Sequence, residues 1–122
     1  MAILVVEDDA VNRTLLERWL ARRGYGVKSA VDGYDALVAA AAERPALVLI
    51  DLLMPRMTGL EFVRRLRAMT DGARIPVIAI SSDERLREGA LAAGCTAFLR
   101  KPVDFPALLA MIENLGLEPS RG

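Results

Sequence analysis

Apolar and polar positions along this chain follow two alternating periods. Five short apolar runs, at residues 3–6, 27–30, 47–50, 76–80 and 97–99, are separated by stretches whose apolar residues recur every three or four positions. The first pattern predicts strands and the second predicts helices packed through one face. Residues 10–23 read as a helix with Val11, Leu15, Leu16, Trp19 and Leu20 in one stripe, closed by Gly24 as a C-terminal cap. A second helix opens at Asp32-Gly33, buries Ala36, Leu37, Ala40 and Ala41, and stops before Pro45. Thr58 and Glu61 have capping-box spacing at the head of a third helix, which carries Phe62, Val63, Leu66 and Met69. Asp71-Gly72 reads as a turn, 84–93 as a more polar helix closed by Gly94, and Asp104 as the cap of a last helix with Leu108, Met111, Ile112 and Leu115.

Strict strand–helix alternation, repeated with short connections, predicts a parallel sheet covered on both faces. The expected fold is α/β, a (βα)5 doubly wound five-stranded sheet with the flavodoxin-like order 2-1-3-4-5. Residues 1–117 are expected to form a single domain, with 118–122 a frayed tail. Leu47-Val48-Leu49-Ile50 is the strongest run, and four aliphatics in a row mark a strand buried on both faces. Asp51 follows it directly, at the carboxyl end of a central strand, where open α/β sheets bind their ligands.

The other unusual polar residues take the same kind of position. Glu7, Asp8 and Asp9 follow the first strand, Ser81 the fourth and Lys101 the fifth. In the expected order the first and third strands are neighbours, ~4.8 Å apart, so Glu7, Asp8 and Asp51 should converge. Clustered carboxylates raise one another's pKa and call for a cation. Mg²⁺, which takes oxygen ligands, suits them, and Mn²⁺ is also possible. Lys101 supplies a flexible point charge for a phosphate oxygen, and Ser81 a hydroxyl. Ser81 and Glu84 also have capping-box spacing, so Ser81 reads equally as a helix cap, while Asp9 reads as the cap of the first helix. Lys28 reads as an exposed strand residue, Met54 and Phe98 as packing residues.

Composition removes several alternatives. The chain has no histidine, which excludes His general bases, Ser-His-Asp and Cys-His pairs, and the commonest transition-metal ligand. Sixteen basic residues balance sixteen acidic ones, so no basic surface for nucleic acid or anionic membrane is expected. No run approaches the ~18–20 apolar residues of a membrane span, and the start lacks the form of a signal peptide. One cysteine, Cys95, forbids an internal disulfide and fits a reducing, cytoplasmic setting. Only two of the sixteen basic residues are lysines, Lys28 and Lys101, which singles out the lysine at the fifth strand's end.

The set Ile3-Leu4-Val5-Val6-Glu7-Asp8-Asp9, Asp51-Leu52-Leu53-Met54-Pro55 with Gly59, Ser81, and Phe98-Leu99-Arg100-Lys101-Pro102 resembles the response-regulator receiver domain of bacterial two-component signalling, over residues 3–115. The resemblance implies that Asp51 is the phosphoacceptor. It implies that Asp8 and Asp51 hold Mg²⁺ with the Leu53 backbone carbonyl, and Glu7 through a water. It makes Lys101 the family's site lysine, with a Lys101–Pro102 bond that is often cis, and Ser81 and Phe98 the switch pair. The implied partner is a sensor histidine kinase or a histidine phosphotransfer protein, acting in trans because this chain has no histidine. The implied output is a downstream protein, or a phosphorylation-linked homodimer, met through the face of the fourth helix, fifth strand and fifth helix. Glu7 stands where many members have Asp, Ser81 replaces the commoner Thr, Ser82 a small apolar residue, and Phe98 the usual Tyr. The role implied is a signalling phosphoacceptor rather than an enzyme.

Two other readings differ in class. A non-phosphorylated interaction module would lack Asp51, Asp8 or Lys101, and all three are present. A small Mg²⁺-dependent phosphatase with an Asp nucleophile would carry a second acid two residues on, where this chain has Leu53. Gly24-Tyr25-Gly26 is not completed by a third glycine at position 29, which is Ser, so no nucleotide-binding loop is read.

Overall fold

The computed structural model describes residues 2–69 and 71–119. Strands β1 (Ile3–Val6), β2 (Val27–Ala30), β3 (Leu47–Asp51), β4 (Val77–Ser81) and β5 (Ala97–Arg100) form one parallel sheet in the order β2-β1-β3-β4-β5. Helices α1 (Ala10–Arg22), α2 (Gly33–Ala42), α3 (Gly59–Ala68), α4 (Arg87–Ala93) and α5 (Phe105–Asn114) cover both faces. The expected fold and strand order are what the chain adopts.

Strand residues alternate between two cores, as the period of two requires. Leu4, Val6, Val48, Ile50, Val77 and Ala79 pack with Phe62, Val63 and Leu66 on the side of α2 and α3. Ile3, Val5, Leu47, Leu49, Ile78 and Ile80 pack with Leu16, Leu20, Leu108 and Ile112 on the side of α1 and α5. A strand buried on both sides reads as an unbroken aliphatic run, which is why Leu47 to Ile50 are all at most 1% exposed.

Local signals set the helix ends. Asp9, Asp32, Thr58 and Asp104 each accept a backbone N–H three residues on, from Asn12, Asp35, Glu61 and Ala107. Glu61 leaves its half of the capping box undone and pairs with Arg65 at 2.9 Å. Gly24 takes φ +89°, the left-handed turn that closes α1.

Several expectations need correction. Val11 and Leu15 are 74% and 54% exposed, so the buried stripe of α1 is narrower than the apolar spacing suggested. Leu15 and Val11 lie about 100° and 140° round the helix from the buried Leu16, off the row of Leu16 and Leu20 that meets the sheet. Ala41, one residue past the buried Ala40, is likewise exposed. The stretch expected as one helix from Glu84 is a 3₁₀ turn, Glu84–Leu86, followed by the short α4. Its N-terminal cap is Asp83, which accepts from the Arg85 N–H, and not Ser81. β4 is shifted by one residue, leaving Pro76 outside and taking Ser81 in. Glu118 and Pro119 belong to no helix or strand, and the rest of the expected tail lies outside the described residues.

Candidate functional site

Pairing of β1 with β3 in parallel register, Val6 beside Ile50, brings the residues that follow each strand to one edge of the sheet. There, carboxylate oxygens of Glu7, Asp8 and Asp51 lie within 4.8 Å of one another. Glu7 is buried, Asp8 exposed and Asp51 intermediate, so the cluster is open to solvent at Asp8. Arg13, one turn into α1, donates to the Glu7 carbonyl at 2.9 Å and the Asp8 carbonyl at 3.3 Å, which holds this acidic loop against the helix.

Lys101 reaches the cluster from β5, two strands away from β3. Its Nζ donates to Asp51 Oδ2 and to Glu7 Oε1, each at 3.0 Å. The lysine is fixed from behind, because its backbone N–H donates to the Ser81 carbonyl at 2.9 Å. The Lys101–Pro102 peptide bond is cis. Asp51 Oδ1 accepts the Leu53 N–H at 2.9 Å, so the residue whose carbonyl is of interest is already tied to the central carboxylate. Ser81 is fully buried at the end of β4, and its Oγ accepts the Asp83 N–H at 3.1 Å. Phe98 is 4% exposed, with the Arg87 guanidinium 4.6 Å from its ring centre. The aromatic of the implied switch pair thus lies inside the fold, as a packing residue would.

One ammonium does not neutralise three carboxylates. Burial, and then the hydrogen bond and charge of Asp51, push Glu7 up to about 7 even though Lys101 pulls it down. Burial would lower the Lys101 pKa, but its hydrogen bonds to Asp51 and Glu7 outweigh this and raise it. The donor set is all oxygen, without histidine, and Cys95 is buried elsewhere in the fold. That set fits a hard divalent cation. Beside the cluster lies a cavity of about 190 Å³, walled by Leu15, Leu16, Val103 and Phe105 and reaching Asp51 and Lys101.

All the expected polar site residues therefore gather at one sheet edge. Sequence reasoning missed Arg13, whose role depends on the helix turning its guanidinium back onto the loop. It also missed Arg56, which pairs with the buried Asp32 across the loop after β3. Helical spacing from Asp8 could have suggested Arg13, but no local signal marks Arg56.

A doubly wound sheet with an acid cluster and a lysine at its carboxyl edge can hold a hard cation and a phosphoryl group at the place where such sheets bind ligands. Residues 3–113 match the family model described as "Response regulator receiver domain". The chain belongs to that family, and is a receiver domain of two-component signalling.

The response regulator MprA of Mycobacterium avium (strain 104) is 40% identical over 115 residues, covering 94% of this chain and 50% of that protein. The chain thus spans about half the length of the curated relatives it matches. The receiver domain of the sensor histidine kinase PA1611 from Pseudomonas aeruginosa PAO1 superposes with TM-score 0.88 at 34% identity, covering 95% of this chain and 98% of that one. That structure holds a magnesium ion coordinated in its active-site cleft. The receiver domain of Ssk1 from Saccharomyces cerevisiae, solved with the histidine phosphotransfer protein Ypd1, superposes with TM-score 0.86 at 25% identity, covering 95% and 88%.

Proposed function

We propose that Asp51 accepts a phosphoryl group from a phosphohistidine on a sensor histidine kinase or a histidine phosphotransfer protein. The observation that carries this reading is the convergence of Asp51, Asp8, Glu7 and Lys101 at the carboxyl edge of the sheet. An Asp51 oxygen attacks phosphorus, the P–N bond to the donor imidazole breaks, and the leaving nitrogen retains its electron pair. Asp8 and Asp51, with the Leu53 carbonyl, would hold Mg²⁺ or Mn²⁺, and Glu7 would assist through a water. The cation neutralises phosphoryl oxygens when bound. Lys101, released from its present pairings, takes one phosphoryl oxygen, and in-line positioning rather than proton transfer is the main requirement.

The PA1611 receiver's magnesium and the Ssk1 receiver's complex with Ypd1 support this assignment by likeness. We take residues 1–117 as one receiver unit that acts only on its own phosphorylation and dephosphorylation, in the cytoplasm, without contacting nucleic acid itself. No helix of the described residues is long and apolar enough to cross a membrane. Ser81 gives up its contact with the Asp83 N–H to reach the phosphoryl group. Because Asp83 caps the turn before α4, that move loosens the face of α4, β5 and α5. That face meets a downstream protein or a second copy of the chain. Phe98, already buried, is held in place rather than drawn in.

Isothermal titration with beryllofluoride, a phosphoryl mimic, in the presence of Mg²⁺ tests the assignment. The wild type should bind one equivalent and Asp51→Asn none. Equal binding by both, or none by the wild type, would overturn it.

A further inference from the structure

The loop between β3 and α3 contains a backbone conformation that its sequence does not favour. The Met57 N–H donates to the Pro55 carbonyl, two residues back, at 2.8 Å, and Arg56 at the apex has φ +67°. This is a γ-turn of the rare, strained hand. Glycine adopts positive φ without a Cβ penalty, and an arginine does not. The arginine is tied down instead. Its guanidinium Nη2 donates to Asp32 Oδ2, while Asp32 Oδ1 accepts the Asp35 N–H at 2.8 Å as the cap of α2. Asp32 is 5% exposed, so the pair joins the solvent-facing apex of the loop to a fixed carboxylate in the body of the domain.

The same loop is pinned beside that pair and at its far end. Met57 is fully buried against Gly33, where a Cβ would stand 2.6 Å from the Met57 sulfur. The Gly59 N–H donates to the Leu52 carbonyl at 3.1 Å, and a Cβ on Gly59 would stand 2.7 Å from Leu52 Cα. Leu53 lies between these pins, 54% exposed, with only its N–H bonded to Asp51.

We propose that Arg56 is a positioning residue. By clamping the strained turn to Asp32, it holds Leu53 so that the N–H stays on Asp51 and the carbonyl is kept in place for a cation. This rests on the reading of Glu7, Asp8, Asp51 and the Leu53 carbonyl as that site. Arg56 touches none of these groups and acts through the path of the backbone.

Charge and positioning predict opposite signs, which makes the proposal testable. If Arg56 acted only as a positive charge near an acidic cluster, its removal would tighten Mg²⁺ binding. If it positions Leu53, its removal must weaken binding. Metal affinity would be measured by isothermal titration with MgCl₂ on wild type, Arg56→Ala and Arg56→Lys, with urea unfolding of each in chelator. Arg56→Ala should bind Mg²⁺ about tenfold more weakly, the low end for a residue that orients a ligand without touching metal. Arg56→Lys, which keeps a donor for Asp32, should fall between Arg56→Ala and the wild type while remaining folded. Unchanged or tighter binding by Arg56→Ala would overturn the proposal. Absence of Mg²⁺ binding by the wild type would instead overturn the reading of the site, and the proposal with it.

Discussion

Glu7 gives the cluster a pH signature in the absence of metal. Its folded pKa is about 7 against an ordinary value of 4.5, raised first by burial and then by Asp51. The folded state therefore binds this proton more tightly than the unfolded state. The stabilisation from protonated Glu7 is fully present below pH 4.5 and is lost as pH rises through about 7. A shift of this size corresponds to roughly 3 kcal/mol, a large share of a small domain's stability. Glu7→Gln keeps the shape and an acceptor for Lys101 but cannot ionise. Urea unfolding in chelator, at half-unit steps from pH 5 to 8, measures the effect. Relative to Glu7→Gln, the wild type should lose about 2–3 kcal/mol across that range. Added Mg²⁺ should return much of this at pH 8, because binding to the ionised cluster stabilises the native state. A difference between the two proteins that stays flat with pH would refute the argument.

Other changes probe separate parts of the account. Lys101→Met leaves Glu7 and Asp51 facing each other without an ammonium; stability at pH 8 in chelator should fall by about 1–3 kcal/mol. Titration should at the same time show tighter Mg²⁺ binding, since a competing cation has gone, while phosphorylation slows. Gly59→Ala forces a Cβ against the Leu52 backbone and should cost about 1–3 kcal/mol in urea unfolding. Leu53, 54% exposed beside Asp51, offers no polar anchor to a hydrolytic water, so Leu53→Asn should change the dephosphorylation rate, read by loss of the phosphorylated mass with time. An unchanged rate would remove Leu53 from that role.

The parts of the molecule legible in the sequence were those written in local periodicity. Leu47 to Ile50 announce a doubly buried strand and strand–helix alternation a parallel sheet, while the order that places Asp51, Glu7, Asp8 and Lys101 together comes from the flavodoxin-like form of that sheet and not from any local pattern. Val11 and Leu15 misled because apolar spacing does not say how wide a buried stripe is, and both are exposed on α1 beside the site. Ser81 was ambiguous because a strand end and a helix cap use the same residue type; burial and its bond to the Asp83 N–H resolve it. Arg56 and Asp32 lie 24 positions apart, and nothing local to either says that they meet. The raised pKa of Glu7 was foreseeable in direction from crowded carboxylates, but that burial is its leading cause required the fold.

The most direct test of the central claim is intact-mass measurement after incubation with acetyl phosphate and Mg²⁺, comparing the wild type with Asp51→Asn. The account predicts a gain of one phosphoryl group on the wild type, none on Asp51→Asn, and none on either in chelator. No gain on the wild type, or an equal gain on Asp51→Asn, would contradict it.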